Sequence, residues 1–294
     1  MEFTKSHGAG NDFVMVEDLR DRLKPSPDVV RSLCDRHKGV GADGLIRIAP
    51  SDEADFFMDY YNADGDVAEM CGNGIRCLAK YVADRNLHTK DTMRVATRAG
   101  VKDLWLAYDS DGCVTRVRVD MGIPILERSL IPLAGDGGDP LHEPLTVGGL
   151  DFDATALSMG NPHCVLFFDD LDAAPFERLG PLVESHERFP THVNAEFVQV
   201  LSKTEVRARV FERGVGETQA CGTGACAIAV GSNLRGFTGR SVAVHLPGGT
   251  LDIDWAEDEH VYMTGPAEEV FHGTLDQHIE HRLLGWTEPI GGAR

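Results

Sequence analysis

The sequence predicts an α+β protein of two pseudo-symmetric lobes, each a mostly antiparallel sheet wrapped around a central helix, with the active site in the inter-lobe cleft. An internal repeat is the first reason. Cys71-Gly72-Asn73-Gly74 and Cys221-Gly222-Thr223-Gly224 stand 150 positions apart, and the same offset pairs Gly10-Asn11 with Gly160-Asn161, Asn62 with Glu212 and Gly44 with Asn194. Several motifs sharing one offset mark a duplicated unit of roughly 120 to 150 residues, not a short-period solenoid. Element order is the second reason. In both copies β-prone runs lead to the cysteine, a helix follows it and strand-rich segments come after, which suits an antiparallel sheet on a helix better than alternating βαβ units. Length is the third: 294 residues is about two ordinary domains, able to bury roughly three quarters of their unfolded surface without a staple.

In the first copy, Asp12-Phe13-Val14-Met15-Val16 and Phe56-Phe57-Met58-Asp59-Tyr60-Tyr61 read as strands. After Cys71, the residues Ile75, Leu78, Ala79 and Val82 recur at i, i+3, i+4, i+7, the spacing of an amphipathic helix. Strands are expected again at Leu104 to Tyr108 and Val114 to Val119. The second copy repeats the order, with His163 to Phe168 and Val206 to Phe211 before its cysteine. There the run Ala225-Cys226-Ala227-Ile228-Ala229-Val230 is apolar all round, so this helix is expected to be buried. Val242 to Leu246 and Leu251 to Trp255 close the copy. Breaks at Asp120-Met121-Gly122-Ile123-Pro124 and Thr264-Gly265-Pro266 set the boundaries. The first lobe spans 1–119 and is completed by 264–275, with a strand near Val270-Phe271; the second spans 120–263. A poorly ordered tail is expected over 276–294 and a flexible surface loop over Gly135-Asp136-Gly137-Gly138-Asp139-Pro140.

Apolar residues make up 42% and charged residues 26%, a globular mixture. Forty-seven acidic against 28 basic residues leave a net charge of −19. Such a field repels phosphate backbones and anionic membranes, so neither nucleic acid nor membrane is an expected partner. No apolar run reaches the roughly 18 residues of a membrane span. The start, Met1-Glu2-Phe3-Thr4-Lys5-Ser6-His7, lacks the features of a signal peptide. A cytoplasmic location follows, where thiols stay reduced. Seven cysteines (34, 71, 77, 113, 164, 221, 226) are an odd number. That argues against a disulfide framework and leaves packing residues, metal ligands or reactive thiolates.

Cys71 and Cys221 each precede a glycine and open a helix. Free N–H groups and the positive dipole end should lower a thiolate pKa there, and the glycines let backbone amides form a nest for a carboxylate. Duplication lets two such thiols act as a pair. Inverting a carbon stereocentre needs a base on one face and an acid on the other, which a thiolate and a thiol supply. The nests would stabilise the enolate-like charge. A lone cysteine at a helix start is more often a small buried residue; the repeat reverses that weighting.

Other motifs carry less. Cys71 with Cys77 and Cys221 with Cys226 lack the two-residue gap of a zinc knuckle, so no metal is expected. His186, Glu187 and His192 do not match HExxH. Gly8-Ala9-Gly10-Asn11-Asp12-Phe13 lacks the third glycine of a dinucleotide fingerprint. Gly214-Val215-Gly216-Glu217-Thr218 has no phosphate-loop lysine, and no lysine sits in a pyridoxal context, so no cofactor is expected. Cys34, Cys77, Cys113, Cys164 and Cys226 read as packing residues or bystanders. His163 is either a satisfied structural histidine or a neighbour of the cleft. Glu212 and Arg213 are either ligands for an ammonium and a carboxylate or a surface ion pair.

Over residues 2–275 the chain resembles the diaminopimelate epimerase family, within the proline-racemase-like superfamily. The matching stretches are Gly10-Asn11-Asp12-Phe13-Val14, Asn62-Ala63-Asp64-Gly65, Cys71-Gly72-Asn73-Gly74-Ile75-Arg76-Cys77, Met159-Gly160-Asn161-Pro162-His163 and Glu212-Arg213-Gly214-Val215-Gly216-Glu217-Thr218-Gln219-Ala220-Cys221-Gly222-Thr223-Gly224. The resemblance implies a pyridoxal-independent isomerase interconverting LL- and meso-2,6-diaminopimelate, on the route to lysine and peptidoglycan. It implies Cys71 and Cys221 as the acid/base pair, with His163 and Glu212 beside the reacting centre. Asn11, Asn62, Asn73, Asn161, Asn194, Arg213 and Thr223, with the amides of Gly72 and Gly222, then form the substrate shell. A homodimer is also implied. Some family members place Gln where this chain has Gly44, so no side-chain contact is carried over there. The alternatives are a related racemase acting on proline or hydroxyproline, or a non-catalytic amino-acid-binding protein.

Overall fold

The computed structural model describes residues 1–135 and 138–285. The chain divides into two compact units, Met1–Val117 with the described residues from Ala267 onward, and Arg118–Pro266. The first contains β1 (Glu2–Gly8), β2 (Asn11–Glu17), α1 (Pro27–Cys34), β3 (Gly44–Ala49), β4 (Phe56–Asn62), β5 (Val67–Ala68), α2 (Gly72–Asp84), β6 (Thr92–Thr97) and β7 (Gly100–Tyr108), and β8 (Val114–Asp120) leads out of it. The second contains β9 (Glu143–Val147), β10 (Leu150–Ser158), β11 (Pro162–Phe167), α3 (Phe176–Glu184), β12 (Asn194–Val200), β13 (Glu205–Glu212), β14 (Gly216–Thr218), α4 (Gly222–Leu234), β15 (Ser241–Leu246), β16 (Gly249–Trp255) and β17 (Val261–Pro266). The chain then returns to the first unit with β18 (Glu268–Thr274) and α5 (Gln277–Leu283).

Pairing follows one scheme in both units. In the first, β1–β2 is antiparallel, β2–β3 parallel, β3–β4 and β4–β5 antiparallel, β4–β6 parallel and β6–β7 antiparallel. In the second, β10–β11, β11–β12, β12–β13, β13–β14, β13–β15 and β15–β16 repeat those orientations in the same order. The register repeats too. Phe13 lies opposite Gly44 as His163 lies opposite Asn194, each 150 positions on. The duplication read from the motifs is thus written into the sheets, and the mixed but mostly antiparallel α+β architecture is the expected one.

Each cysteine opens a 13-residue helix packed on its own sheet. As expected, α4 is buried nearly throughout, from Gly222 to Ser232 with Thr223 the exception. Contrary to its amphipathic spacing, α2 is also buried along most of its length, and its buried set includes Arg76. A second, shorter helix covers the opposite face of each sheet. Pro27 starts α1 at a position where its missing N–H costs nothing, and α3 stands 150 positions later despite Pro181 inside it. With helices on both faces, alternate residues of the central strands are all buried. Val14, Val16 and Leu45 pack with α1, whereas the rings and methyls of Phe13 and Ile46 reach Gly74 of α2. In the second unit Cys164, Ala195 and Phe197 pack with α3.

The expected tail is corrected at its start. Residues Gln277–Leu283 form α5, capped by Asp276, whose carboxylate accepts from the His278 N–H. Leu275 and Leu283 are buried in the α1 core, and the Lys24 N–H donates to the Leu283 carbonyl at 2.7 Å. These apolar residues complete the face of α1, a helix the sequence patterns did not single out. The rest of that tail, from residue 286, and residues 136 and 137 of the expected loop lie outside the described residues. Among the described residues no helix is long and apolar enough to cross a membrane.

Candidate active site

Each unit carries an equivalent cysteine N-cap. Cys71 (φ −138°, ψ 117°) caps α2 and Cys221 (φ −112°, ψ 116°) caps α4, each in extended backbone. Each Sγ accepts the N–H of the residue three positions on, Gly74 or Gly224, at 3.4 Å. A cap is usually an oxygen side chain; here a sulfur takes its place. Glycine at the third helical position lets the wall behind each sulfur come close. A Cβ on Gly74 would lie 2.6 Å from Ile46 Cδ1, and one on Gly224 would lie 3.1 Å from Glu196 Oε1 and 3.2 Å from Cys221 Sγ.

In the first unit a polar chain ends on Cys71. Its S–H donates to Asn11 Oδ1 at 3.5 Å, and Asn73 Nδ2 donates to the same oxygen at 3.2 Å. Asn11 Nδ2 donates to Asp43 Oδ2 at 2.8 Å, and because a carboxylate only accepts, this fixes which end of the amide faces the sulfur. Arg36 joins Asp43 to Asp12, and Lys5 pairs with Asp12 at 2.6 Å. Burial works against the Asp12 charge, but the hydrogen bonds from Arg36 and Lys5 hold its carboxyl well below the usual range. On the far side, the fully buried Arg76 donates to Asn73 Oδ1 at 2.9 Å and to the Gly72 carbonyl at 3.0 Å.

Cys221 stands in a different environment. Its Sγ lies 3.5 Å from Thr223 Oγ1. The expected lowering of its pKa is corrected: burial, then the charge of Glu212, pushes the thiol well above its ordinary value, against the opposing effects of Thr223 and the Gly224 N–H. Only 5% of Cys221 is exposed, so desolvation of the thiolate outweighs the helix terminus. His163 is fully buried, with Nδ1 2.6 Å from Glu196 Oε1 and Nε2 3.0 Å from Asn161 Oδ1. Burial pulls its pKa down to about 3.

The remaining expected residues are placed as follows. Thr218 Oγ1 donates to Glu212 Oε1 at 2.5 Å. Asn194 is buried, its Nδ2 donating to the Pro162 carbonyl and its Oδ1 accepting the Arg213 N–H, both at 3.0 Å, so it ties β11 to the end of β13. Arg213 itself is exposed, while Gly72 and Gly222 are buried at the helix starts. Asn62 ends β4 opposite Gly44, half-buried, its N–H bonded to the Asp66 carbonyl at 2.9 Å. Gly44 has no room for a side chain, since a Cβ would lie 2.5 Å from both the Tyr60 ring and the Tyr61 carbonyl oxygen. Cys34, Cys77, Cys164 and Cys226 are buried, and Cys113 is exposed. Burial pushes the first two to about 12. Sequence patterns did not find Asp43, Arg76 or Glu196. A lone acid in the apolar strand Asn194–Val200 was the signal for Glu196. No group of three or more metal-ligating side chains occurs among the described residues.

The diaminopimelate epimerase family model matches residues 3–126 and 155–270. The chain is 54% identical to a diaminopimelate epimerase of Pelotomaculum thermopropionicum over 93% of its length and 98% of that protein's. One from Heliobacterium modesticaldum is 51% identical over 94% and 99%, and one from Methanococcus maripaludis 46% over 94% and 100%. Solved structures with the same fold include a phenazine biosynthesis protein of Bacillus anthracis (TM-score 0.67, 17% identity, 93% of this chain and 98% of that one). A probable proline racemase of Agrobacterium radiobacter also shares it (TM-score 0.68, 12% identity, 98% and 96%).

Proposed function

The chain belongs to the diaminopimelate epimerase family, and on that premise we propose that it interconverts LL- and meso-2,6-diaminopimelate by two-base proton transfer between Cys71 and Cys221, without a cofactor. The observation that carries this reading is the pair of cysteine N-caps, equal in register, helix length and Sγ-to-amide distance. One sulfur removes the α-proton as thiolate while the other delivers a proton to the opposite face as thiol. The N–H groups of Gly72 and Gly222 and their neighbours stabilise the charge that develops on the substrate carboxylate.

The two sulfurs are not alike in the unliganded protein. Burial and the Glu212 charge favour the thiol form of Cys221, and which sulfur acts as base depends on the isomer bound: the one facing its α-proton takes it, the other gives one up, and each turnover reverses the pair. Asn11, Asn62, Asn161, Arg213 and Thr223 hold the amino and carboxylate ends, and Asn73, its amide oxygen accepting from Arg76 and its amide nitrogen donating to Asn11, holds Asn11 from behind. Asn194, with both ends of its amide committed to backbone, and His163, without exposed surface, support that shell from behind. NMR with LL-diaminopimelate in deuterated water, reductant present and no pyridoxal phosphate added, is expected to show loss of the α-proton signal and growth of the meso isomer. No inversion by a folded, reduced sample would return the related-racemase reading, with proline and hydroxyproline as the next substrates.

A cytoplasmic homodimer completes the proposal. Val270 and Phe271 on β18 are 57% and 48% exposed, apolar surface that a second copy would cover. Sedimentation velocity should give twice the chain mass, and Phe271→Asp should shift it toward the monomer; a wild-type monomer would overturn the dimer.

A further inference from the structure

The repeat supplies an internal control for the surroundings of each cysteine. Phe13 and His163 occupy equivalent positions, as do Ile46 and Glu196, through identical parallel pairings of β2 with β3 and β11 with β12. Behind Cys71 that pair is wholly apolar, with Ile46 Cδ1 against Gly74. Behind Cys221 it is His163 and Glu196, with Glu196 Oε1 against Gly224. Both of these side chains are fully buried, and they share a 2.6 Å contact. Glu196 Oε2 is buried and has no hydrogen-bond partner.

An ionised carboxylate would leave that bare oxygen charged in a dry site, the costliest state available to it. A neutral acid leaves only a carbonyl oxygen unsatisfied. We propose that Glu196 is a positioning residue held as the neutral carboxylic acid: its O–H donates to His163 Nδ1, fixes His163 as the Nε2–H tautomer, and so commits Asn161 to offer amide N–H groups to the substrate. The geometry is consistent at each link. Nε2–H donates to Asn161 Oδ1 at 3.0 Å, which occupies the acceptor end of the amide and leaves Nδ2 for a ligand. With Glu196 ionised and His163 neutral, Nδ1 would carry the proton, Nε2 would become an acceptor, and Asn161 would turn its carbonyl outward, against a carboxylate. Burial drives both partners toward the neutral pair, raising Glu196 and lowering His163; the Glu212 charge reinforces this on Glu196 and opposes it on His163, and the backbone N–H groups of Cys164 and Glu196 oppose it on Glu196, but burial prevails in both. The other titratable or charged groups near the pair are Cys164 on β11, Arg213 after β13 and Cys221 at the start of α4.

The asparagines of the two units are thereby held in opposite senses. Asn11 is gripped by its donor end through Asp43, and Asn161 by its acceptor end through His163. The role of Asn161 toward substrate rests on the epimerase reading; the tautomer does not, so it is measured first on the unliganded enzyme. Nitrogen-15 imidazole NMR of the full chain should show His163 with a protonated Nε2 and a bare Nδ1 from pH 6 to 8. A protonated Nδ1, whether in the other tautomer or in an imidazolium, would overturn the proposal and leave the epimerase reading standing. Glu196→Gln retains a neutral donor to Nδ1 and should keep both this spectrum and turnover within about tenfold of wild type. Glu196→Leu should lose the fixed tautomer and roughly 100-fold in kcat, the scale of a displaced site group. Equal losses in Gln and Leu variants with unchanged His163 spectra would reduce Glu196 to a packing residue.

Discussion

Alanine at Cys71 or at Cys221 should abolish inversion, but the two variants should differ in what they retain. General acid–base groups are worth about 10²–10⁴ in rate, and epimerisation needs both in one turnover. Loss of either sulfur is therefore expected to lower kcat by at least about 10³. Exchange of the α-proton with deuterated solvent is less demanding. A remaining thiolate can remove the proton that faces it and return deuterium to the same face. In Cys221→Ala the remaining sulfur is Cys71, which contacts Asn11 Oδ1, and exchange without inversion should persist for the isomer whose α-proton faces it. In Cys71→Ala the remaining sulfur is Cys221, whose proton is favoured by burial and by Glu212, and exchange should be confined to the other isomer and rise with pH. The readout is proton NMR of each isomer with each variant, alongside circular dichroism to verify folding. Inversion within tenfold of wild type in either variant would remove the thiol pair from the mechanism. Exchange of the same isomer by both variants would keep the two sulfurs but refute their action on opposite faces of the substrate.

The duplication was legible because chemistry pins its marks. Asn11, Asn62, Cys71 and their partners stand at strand ends and helix starts, where insertion would break both register and cap, so the offset of 150 survives in the pairing of β2 with β3 and β11 with β12. Helix α4 was legible as a buried helix because nothing polar interrupts Ala225 to Val230. By contrast α1 and α3 are eight and nine residues long, and α3 carries a proline in its interior. Short helices give periodicity too little length to stand out. Nor does a pattern separate a buried acid from an exposed one. Alternation along Asn194–Val200 places Asn194, Glu196 and Val198 on one face, and a carboxylate there reads as solvent-facing until a helix is known to cover it. The same blindness applies to Arg76, which ordinary amphipathic logic sends to the surface of α2. Its concealment converts a motif residue of no evident role into a support of the site.

Arg76 therefore provides the second large expected effect. Its side chain is fully buried, yet the guanidinium has specific work: one nitrogen donates to Asn73 Oδ1 and another to the Gly72 carbonyl. Gly8 on β1 makes room for it, since a Cβ there would lie 3.0 Å from both Arg76 Nη2 and the Asn73 carbonyl oxygen. Replacement by Met keeps most of the volume but removes these donors, leaving Asn73 Oδ1 buried without its cation. Each buried polar group stranded in this way costs about 1–3 kcal/mol, so Arg76→Met should lose roughly 3 kcal/mol of stability in urea unfolding. Activity should fall further than the unfolded fraction explains. Asn73 freed from Arg76 no longer holds Asn11 Oδ1 at 3.2 Å, and Asn11 is what Cys71 touches. The expected signature is a drop in kcat at denaturant-free, fully folded conditions, with partial recovery in Arg76→Lys, which restores a donor but not the planar fork. Wild-type stability and kcat in Arg76→Met would show that packing alone fills that space, and the line from Arg76 through Asn73 and Asn11 to Cys71 would carry no positioning.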